Sequence, residues 1–307
     1  MKVVYSLSAF QRNLVLSVCP PGARVVGAEF VREWLHPCPV RVRVILPHGG
    51  ESTLILRLDR AIHGVERETK LLPLLGQLGL PVPTVLAGPV RDPTQPQLGA
   101  MSVLTLLPGE DLITWGYRAS LQERKALEPY VLAAIVQLQQ LATSLSQYAV
   151  AAELPHRTLQ EEFQSVADRD SPWYDGPAFA EAVERLIPLV ERVQTPLVFS
   201  NGDYNPANFL FDGQKLTGFV DFAWACFEDP LFGIARYMTY DWLPYDAVAL
   251  TGRYAATHNF STSDLDLRVA VACLWRLQEL PYADEAIQDT SAFVLRVLRD
   301  VLDRLNG

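Results

Sequence analysis

Three side chains in one stretch, Asp203, Asn208 and Asp221, are of types that can hold a metal and move a proton. The stretch runs from Leu197 to Arg236 and reads LVFSNGDYNPANFLFDGQKLTGFVDFAWACFEDPLFGIAR. Asp203 leads into a loop containing Pro206, Asn208 opens an apolar strand, and Asp221 ends the strand after the Asp212-Gly213 turn. An antiparallel hairpin brings Asn208 and Asp221 close, because both flank one strand pair. A carboxylate with an amide oxygen offers hard-oxygen ligation suited to Mg²⁺, which takes few protein ligands and draws the rest from phosphates and water. Asp203 is left to accept a proton from an incoming hydroxyl. Singly, each residue is equally at home as a turn former or a strand end. The combination, D-x₄-N followed by a strand-terminal D-F between apolar strands, is what points to chemistry.

The elements that must position these residues are legible in outline. Val40, Val42 and Val44 alternate with Arg41 and Arg43, Pro47-His48-Gly49-Gly50 supplies a turn, and Ser52–Leu58 is rich in strand formers, which predicts a hairpin. A helix is expected over Val65–Leu78, closed by Gly79 and by Pro81 and Pro83. Ala100–Leu107 reads as a further apolar strand, ending at Pro108-Gly109, where a boundary between two lobes is placed. Beyond it the pattern is helical. Ser120 and Glu123 form a capping box, and Leu127, Val131, Ile135, Leu138, Ala142 and Leu145 recur at helical spacing. Helices are expected over Ala178–Arg192, Leu231–Tyr240, Asp264–Leu280 and Thr290–Asn306, with strands at Pro196–Ser200, Asn208–Phe211 and Leu216–Phe222. The fold class is α+β, a small lobe followed by a larger, mainly helical one.

Composition narrows the function classes. The 307 residues are 49% hydrophobic and 20% charged, which is globular composition with length enough for two cores. No apolar run approaches the ~20 residues that span a bilayer, and the N-terminal stretch, broken by Gln11, Arg12 and Asn13, is a poor signal-peptide core. Cys19, Cys38, Cys226 and Cys273 are scattered without a C-x-x-C pair, which reads as reduced thiols in a cytoplasm. The histidines show no metal-ligand spacing. Residues 1–105 carry a net charge of +4 and residues 106–307 a net of −13. That is unlike a uniformly basic nucleic-acid binder. It suits an anionic ligand and a cationic one meeting between the halves, and equally suits two surfaces kept soluble. No P-loop G-x₄-G-K-[ST] and no G-x-G-x-x-G occurs.

The stretch 197–236 resembles the aminoglycoside phosphotransferase and choline kinase superfamily, relatives of the protein kinases. Its members carry an H-G-D-x₄-N loop, a D-F or D-L further on and a downstream D-P. Here these read Asn201-Gly202-Asp203, Asn208, Asp221-Phe222 and Asp229-Pro230. The resemblance implies a two-lobed protein-kinase-like fold, with a nucleotide-binding lobe over residues 1–105 and a catalytic, acceptor-binding lobe over 106–307. It implies ATP and Mg²⁺ as cofactors, Asp203 as catalytic base, Asn208 and Asp221 as metal ligands, and γ-phosphate transfer to a hydroxyl of a small molecule by a monomer or homodimer. By the resemblance Asp229 braces the loop, and it suits equally, and compatibly, a helix N-cap with Pro230 in the first turn.

Upstream, Leu54–Leu58 occupies the place of the strand whose basic residue, here Arg57, touches the α- and β-phosphates. Val65-Glu66-Arg67-Glu68 matches the helix carrying the partner carboxylate. An independent argument exists for Glu68. Val65, Glu68, Leu72 and Leu75 fall on one helical face, so Glu68 is on the apolar stripe and needs a cation, for which Arg57 is the candidate, unless it reaches solvent at the stripe's edge. Thr105–Leu107 matches the hinge whose backbone meets adenine. Two departures from the family pattern stand out, and the second of them favours an alternative, a pseudokinase-type binding or regulatory module. Asn201 replaces the usual His, and Leu35-His36-Pro37-Cys38-Pro39 stands where relatives have a small Gly/Ser-containing flap. For the acceptor, Tyr237–Asp246 and Trp173-Tyr174-Asp175 set aromatics beside carboxylates, which suits an amine-bearing molecule such as an aminoglycoside, amino sugar or choline. Helix packing accounts for the same aromatics equally well.

Overall fold

The computed structural model describes residues 4–31, 39–59, 62–167, 177–280 and 288–305. The chain forms two compact units, Met1–Asp111 with Asn208–Ala225, and Leu112–Ala207 with Cys226–Gly307.

In the first unit, α1 (Ala9–Ser17) precedes β1 (Arg24–Phe30), β2 (Val40–Ile45) and β3 (Glu51–Asp59); α2 (Ile62–Gln77), β4 (Val85–Arg91) and β5 (Ala100–Thr105) follow. The strands form one antiparallel sheet in the order β1-β2-β3-β5-β4. The alternation read from the sequence is what orients it. Val40 and Val42 oppose Leu56 and Leu54 in the β2–β3 hairpin and are buried with Val15 of α1. Successive side chains point to opposite faces of a strand. Arg57 therefore faces away from Leu56 and Leu58, to the side where α2 lies against β3, β4 and β5. α2 begins earlier than its apolar periodicity indicates and closes with Gly79 at φ +86°, where Leu80 N–H bonds the Leu75 carbonyl. The hairpin Phe209–Phe211/Leu216–Phe219 belongs to this unit, paired to Glu110–Asp111 and tied to the chain after α2 by Phe219 N–H on the Pro81 carbonyl.

The second unit packs the helices Leu159–Ala167, Pro177–Val190, Thr262–Glu279 and Gln288–Leu305 around Phe163, Phe179, Leu186, Leu274 and Leu298. Leu121–Gln140 carries the expected capping box between Ser120 and Glu123. A small sheet joins His156–Arg157, Cys226–Glu228 and Val198–Ser200, the last leading into the Asp203 loop. The helix expected over Leu231–Tyr240 is one α-turn, Phe232–Ala235, continued as a 3₁₀ turn. Asp229 is buried. It accepts from the amides of Leu231 and Phe232 and forms a two-pronged ion pair with Arg268, at 3.2 and 2.9 Å. It thus holds the amides that lead into the short helix, whose N-cap is Leu231, and ties them to Thr262–Glu279. No described helix is long and apolar enough to cross a membrane.

Candidate active site

In the first unit the fold brings Arg57, Glu68 and Asp221 together. The Arg57 guanidinium donates from Nε to Glu68 Oε2 at 3.1 Å and from Nη2 to Asp221 Oδ1 at 2.7 Å, and lies 3.7 Å from Asp59 Oδ2. Glu68 is 2% exposed, so its place on the apolar stripe of α2 is real and its cation is Arg57. Its second oxygen accepts from Phe222 N–H at 3.1 Å, fixing the chain just after Asp221. Burial works against the Arg57 charge, but Asp221, Glu68 and Asp59 outweigh it and hold its pKa above the ordinary arginine value. Burial pushes the Glu68 carboxyl up, opposed by Arg57.

The strand expected to run to Phe222 stops at Phe219, because Asp221 adopts a left-handed φ of 62°. That conformation costs an L-residue about 1–2 kcal/mol, least for Asp and Asn. Such outliers persist where surrounding contacts over-determine them. Here Arg57 grips the side chain and Glu68 the following amide. Asn208 closes the same hairpin, its carbonyl accepting from Val220 N–H at 3.0 Å. A metal fits this donor set. Arg57, Glu68, Asp59 and Asp221 carry one positive against three negative formal charges, and Asp221 is 43% exposed at its side chain. Among the described residues no group of three or more His, Cys, Asp or Glu is placed to hold an ion.

Asp203 belongs to the second unit, in a loop that side chains organise residue by residue. Ser200 Oγ accepts from Gly202 N–H, Asn201 Oδ1 from Asp203 N–H, Asp203 Oδ1 from Asn205 N–H and Asn205 Oδ1 from Ala207 N–H. Asn201, where relatives have His, works here as a backbone acceptor. Tyr237 OH bonds the Tyr204 carbonyl from beneath. Glu228 is buried beside this loop. Burial raises its pKa to about 7, against the lowering effects of a Ser200 hydrogen bond and the Arg236 cation. Neither Glu228 nor Arg236 is a candidate of the sequence reading, although an arginine in the apolar run Leu231–Tyr240 is a signal for the second.

The remaining expected site residues fall apart in instructive ways. Thr105 ends β5, and its amide and hydroxyl are both engaged with Thr84. Leu107 lies beyond the strand, its side chain against Gly218. Of the flap Leu35–Pro39, residues 35–38 lie outside the described residues, as do Trp173, Tyr174 and Asp175. The run Tyr237–Asp246 divides. Tyr245 OH bonds the Leu112 carbonyl in the interior, and Asp246 caps the helix Ala247–Thr257. Tyr240 stacks on Trp242 at 4.9 Å and has the Arg276 guanidinium over its ring; burial pushes its hydroxyl up to about 12. Trp242 and Tyr117 remain 36% and 55% exposed, joined by Tyr117 OH on the Trp242 carbonyl, with Asp241 close enough to act on the Tyr117 hydroxyl.

The phosphotransferase enzyme family matches the chain over residues 39–266. Among solved structures, the chain is similar to a thermostable mutant of aminoglycoside phosphotransferase APH(4)-Ia in ternary complex with ADP and hygromycin B, at 15% identity and a TM-score of 0.68, covering 96% of this chain and 99% of that one. An aminoglycoside-3'-phosphotransferase of type VIII matches at 19% identity and a TM-score of 0.56, covering 87% and 97%. A putative aminoglycoside phosphotransferase from Ralstonia eutropha matches at 13% and 0.61, covering 94% and 93%. These likenesses establish the kinase-like fold. No curated protein matches the chain.

Two predictions follow from the site's electrostatics. Removing Arg57 strands the buried Glu68 carboxylate, and removing Glu68 leaves Arg57 with Asp221 and Asp59 only, so the two alanine variants should be coupled by on the order of 2 kcal/mol in a double-mutant cycle of unfolding free energy. Losses that add within about 0.5 kcal/mol would show that the pair does not interact. Glu228 titrates in the opposite sense to a paired carboxylate. Its folded pKa of about 7 lies above the ordinary value of 4.5, so the folded state holds its proton longer than the unfolded chain. Stability is lost as pH rises from about 4.5 to 7 and is level above that. Glu228→Gln should therefore gain stability relative to the parent across that window, on the order of 3 kcal/mol by pH 8. A difference independent of pH between 4.5 and 8 would place the carboxyl in water.

Proposed function

The chain belongs to the phosphotransferase enzyme family, and from that premise we propose that it moves the γ-phosphate of ATP to a hydroxyl of a small molecule. The observation that carries the proposal is the pinned Arg57. A guanidinium fixed by Glu68 from α2 and by Asp221 from the hairpin is preorganised for phosphate, and its planar fork suits that partner. In this reading Arg57 meets the α- and β-phosphates and Glu68 keeps it in place. With the Thr105 amide committed to Thr84, adenine falls to the main chain at Leu107, with Thr105 framing the strand end. Asn208 and Asp221 hold Mg²⁺, which when bound neutralises charge on the phosphates.

Asp203 accepts the acceptor's hydroxyl proton. The oxygen attacks the γ-phosphorus, the bond to the β–γ bridging oxygen breaks, and ADP leaves with that electron pair. The acid–base part is worth about 10²–10⁴-fold. Residues 1–105 would then serve the nucleotide and residues 106–307 the base and acceptor, with the hairpin bearing Asn208 and Asp221 packed in the first unit.

The acceptor is proposed to carry an amine or other cationic group. The support is the exposed pair Tyr117 and Trp242 beside Asp241, since aromatic faces next to a carboxylate attract cations.

Asp203→Asn should lower turnover about 10²–10⁴-fold and leave ATP binding intact, whereas Asp221→Ala should weaken Mg·ATP binding itself. Equal small effects would remove the assignment. The same preparation separates enzyme from pseudokinase. At 100 times its Kd, ATP with Mg²⁺ should add about 2.7 kcal/mol of stability, and a screen of ATP consumption over aminoglycosides, choline, ethanolamine and amino sugars should find an acceptor. Neither effect would leave a binding module. For a cationic acceptor, Asp241→Asn should raise its KM with kcat nearly unchanged, and that KM should climb with salt more than the KM for ATP. A KM indifferent to both would reduce Asp241 to a solubility charge.

A further inference from the structure

The peptide joining Gly202 to Asp203 is held at both ends. Its N–H, the Asp203 amide, donates to Asn201 Oδ1 at 3.3 Å, and its carbonyl, Gly202 O, accepts from Arg236 Nη1 at 3.4 Å. Gly202 has φ +85°, a conformation that only glycine adopts freely, so the chain itself does little to fix how this peptide is turned. An Asn side chain in the position of the usual His reaches the N–H side. The carbonyl side falls to an arginine from a different element.

We propose that Arg236 is the positioning residue of the Asp203 loop, clamping the carbonyl of the Gly202–Asp203 peptide and setting a fixed positive charge beside the Asp203 carboxylate. The proposal rests on Asp203 being the base. Its guanidinium lies over the Trp275 ring at 4.2 Å, which fixes its plane. The Nε–H is enclosed and has no hydrogen-bond acceptor. A desolvated cation with an unmet donor weakens a fold, in contrast to Arg268, whose Nε, Nη1 and Nη2 all donate. Burial disfavours the Arg236 charge, but Tyr240, Asp203, Glu279 and Glu228 outweigh it, so the residue stays cationic. An arginine kept charged at a cost to stability, next to the proposed base, is placed for function.

The test uses the full chain and Mg·ATP, with water as the phosphate acceptor, read by release of inorganic phosphate. Arg236→Met should lower kcat by about 10²-fold, as misplacing a reacting group does, with the KM for ATP within about twofold and the thermal midpoint unchanged or raised. Arg236→Lys, which keeps the charge and loses the fork, should recover part of the rate. Independently of turnover, amide exchange at residues 201–204 should quicken in Arg236→Met and stay unchanged at residues 209–219. Full activity in Arg236→Met beside an inactive Asp203→Asn overturns the proposal. So does unchanged exchange, and so does a fall in kcat that tracks a fall in thermal midpoint. An active Asp203→Asn removes the reading of Asp203, and the proposal with it.

Discussion

The first unit is organised by one buried cation. Arg57 faces the interior between β3 and α2, where an unpaired guanidinium is prohibitive. Each carboxylate that answers it comes from a different piece of chain: Asp59 from the strand itself, Glu68 from the helix and Asp221 from the far hairpin. Glu68 spends its second oxygen on the amide of Phe222, so helix and hairpin are fixed to each other as well as to the strand. Desolvating such a cluster offsets much of its Coulombic gain. What it supplies is geometry: the left-handed backbone of Asp221 is tolerated because both its side chain and the next peptide are held.

The second unit contains two arginines whose contrast separates architecture from chemistry. Arg268 meets Asp229 with two parallel bonds and adds Thr195 and Asp264, a full set for a buried guanidinium. It joins two helices and has nothing left to offer. Arg236 is enclosed without full satisfaction, stacked on Trp275, with Asp203 and Glu228 among its counter-charges. Burial in turn raises the Glu228 carboxyl to about 7, so its charge is only partly present at neutral pH. A fold that wanted only stability at this place is better served by apolar side chains of similar size.

How far the sequence reaches follows from the range of the interactions. Valine–arginine alternation, the Ser120–Glu123 box and the inward face of Glu68 are local patterns, and each is matched in the structure. The need of a carboxylate on the apolar stripe for a cation is local in the same way, and in the structure Arg57 meets it. Asp59 as a third carboxylate, the end of the strand at Phe219 and the packing of residues 208–225 with the first unit depend on contacts across most of the chain, such as Glu110 opposite Phe211 and Phe219 on Pro81. No window of sequence displays those. Tyr245 and Asp246 looked like binding residues by type, and only their partners show an interior hydrogen bond and a helix cap.

The same distinction bears on the charge asymmetry between the two parts of the chain. At physiological salt, exposed charges act over ~8 Å, so a net of −13 spread over 106–307 says little about any one surface. Several of those carboxylates are engaged locally. Asp229 and Asp266 pair with arginines, and Glu123, Asp246 and Asp264 occupy helix N-termini, where backbone N–H groups offset their charge. Around Tyr240 the balance is further reduced by Arg276, itself paired to Glu279. The proposed cationic acceptor would meet the exposed Tyr117 and Trp242 with Asp241 beside them, not the summed charge. Tyr117 OH bonds the Trp242 carbonyl, Trp242 stacks on Tyr240, and Asp241 accepts from Thr290 Oγ1, so this corner is set by local contacts rather than by the charge of the unit that carries it.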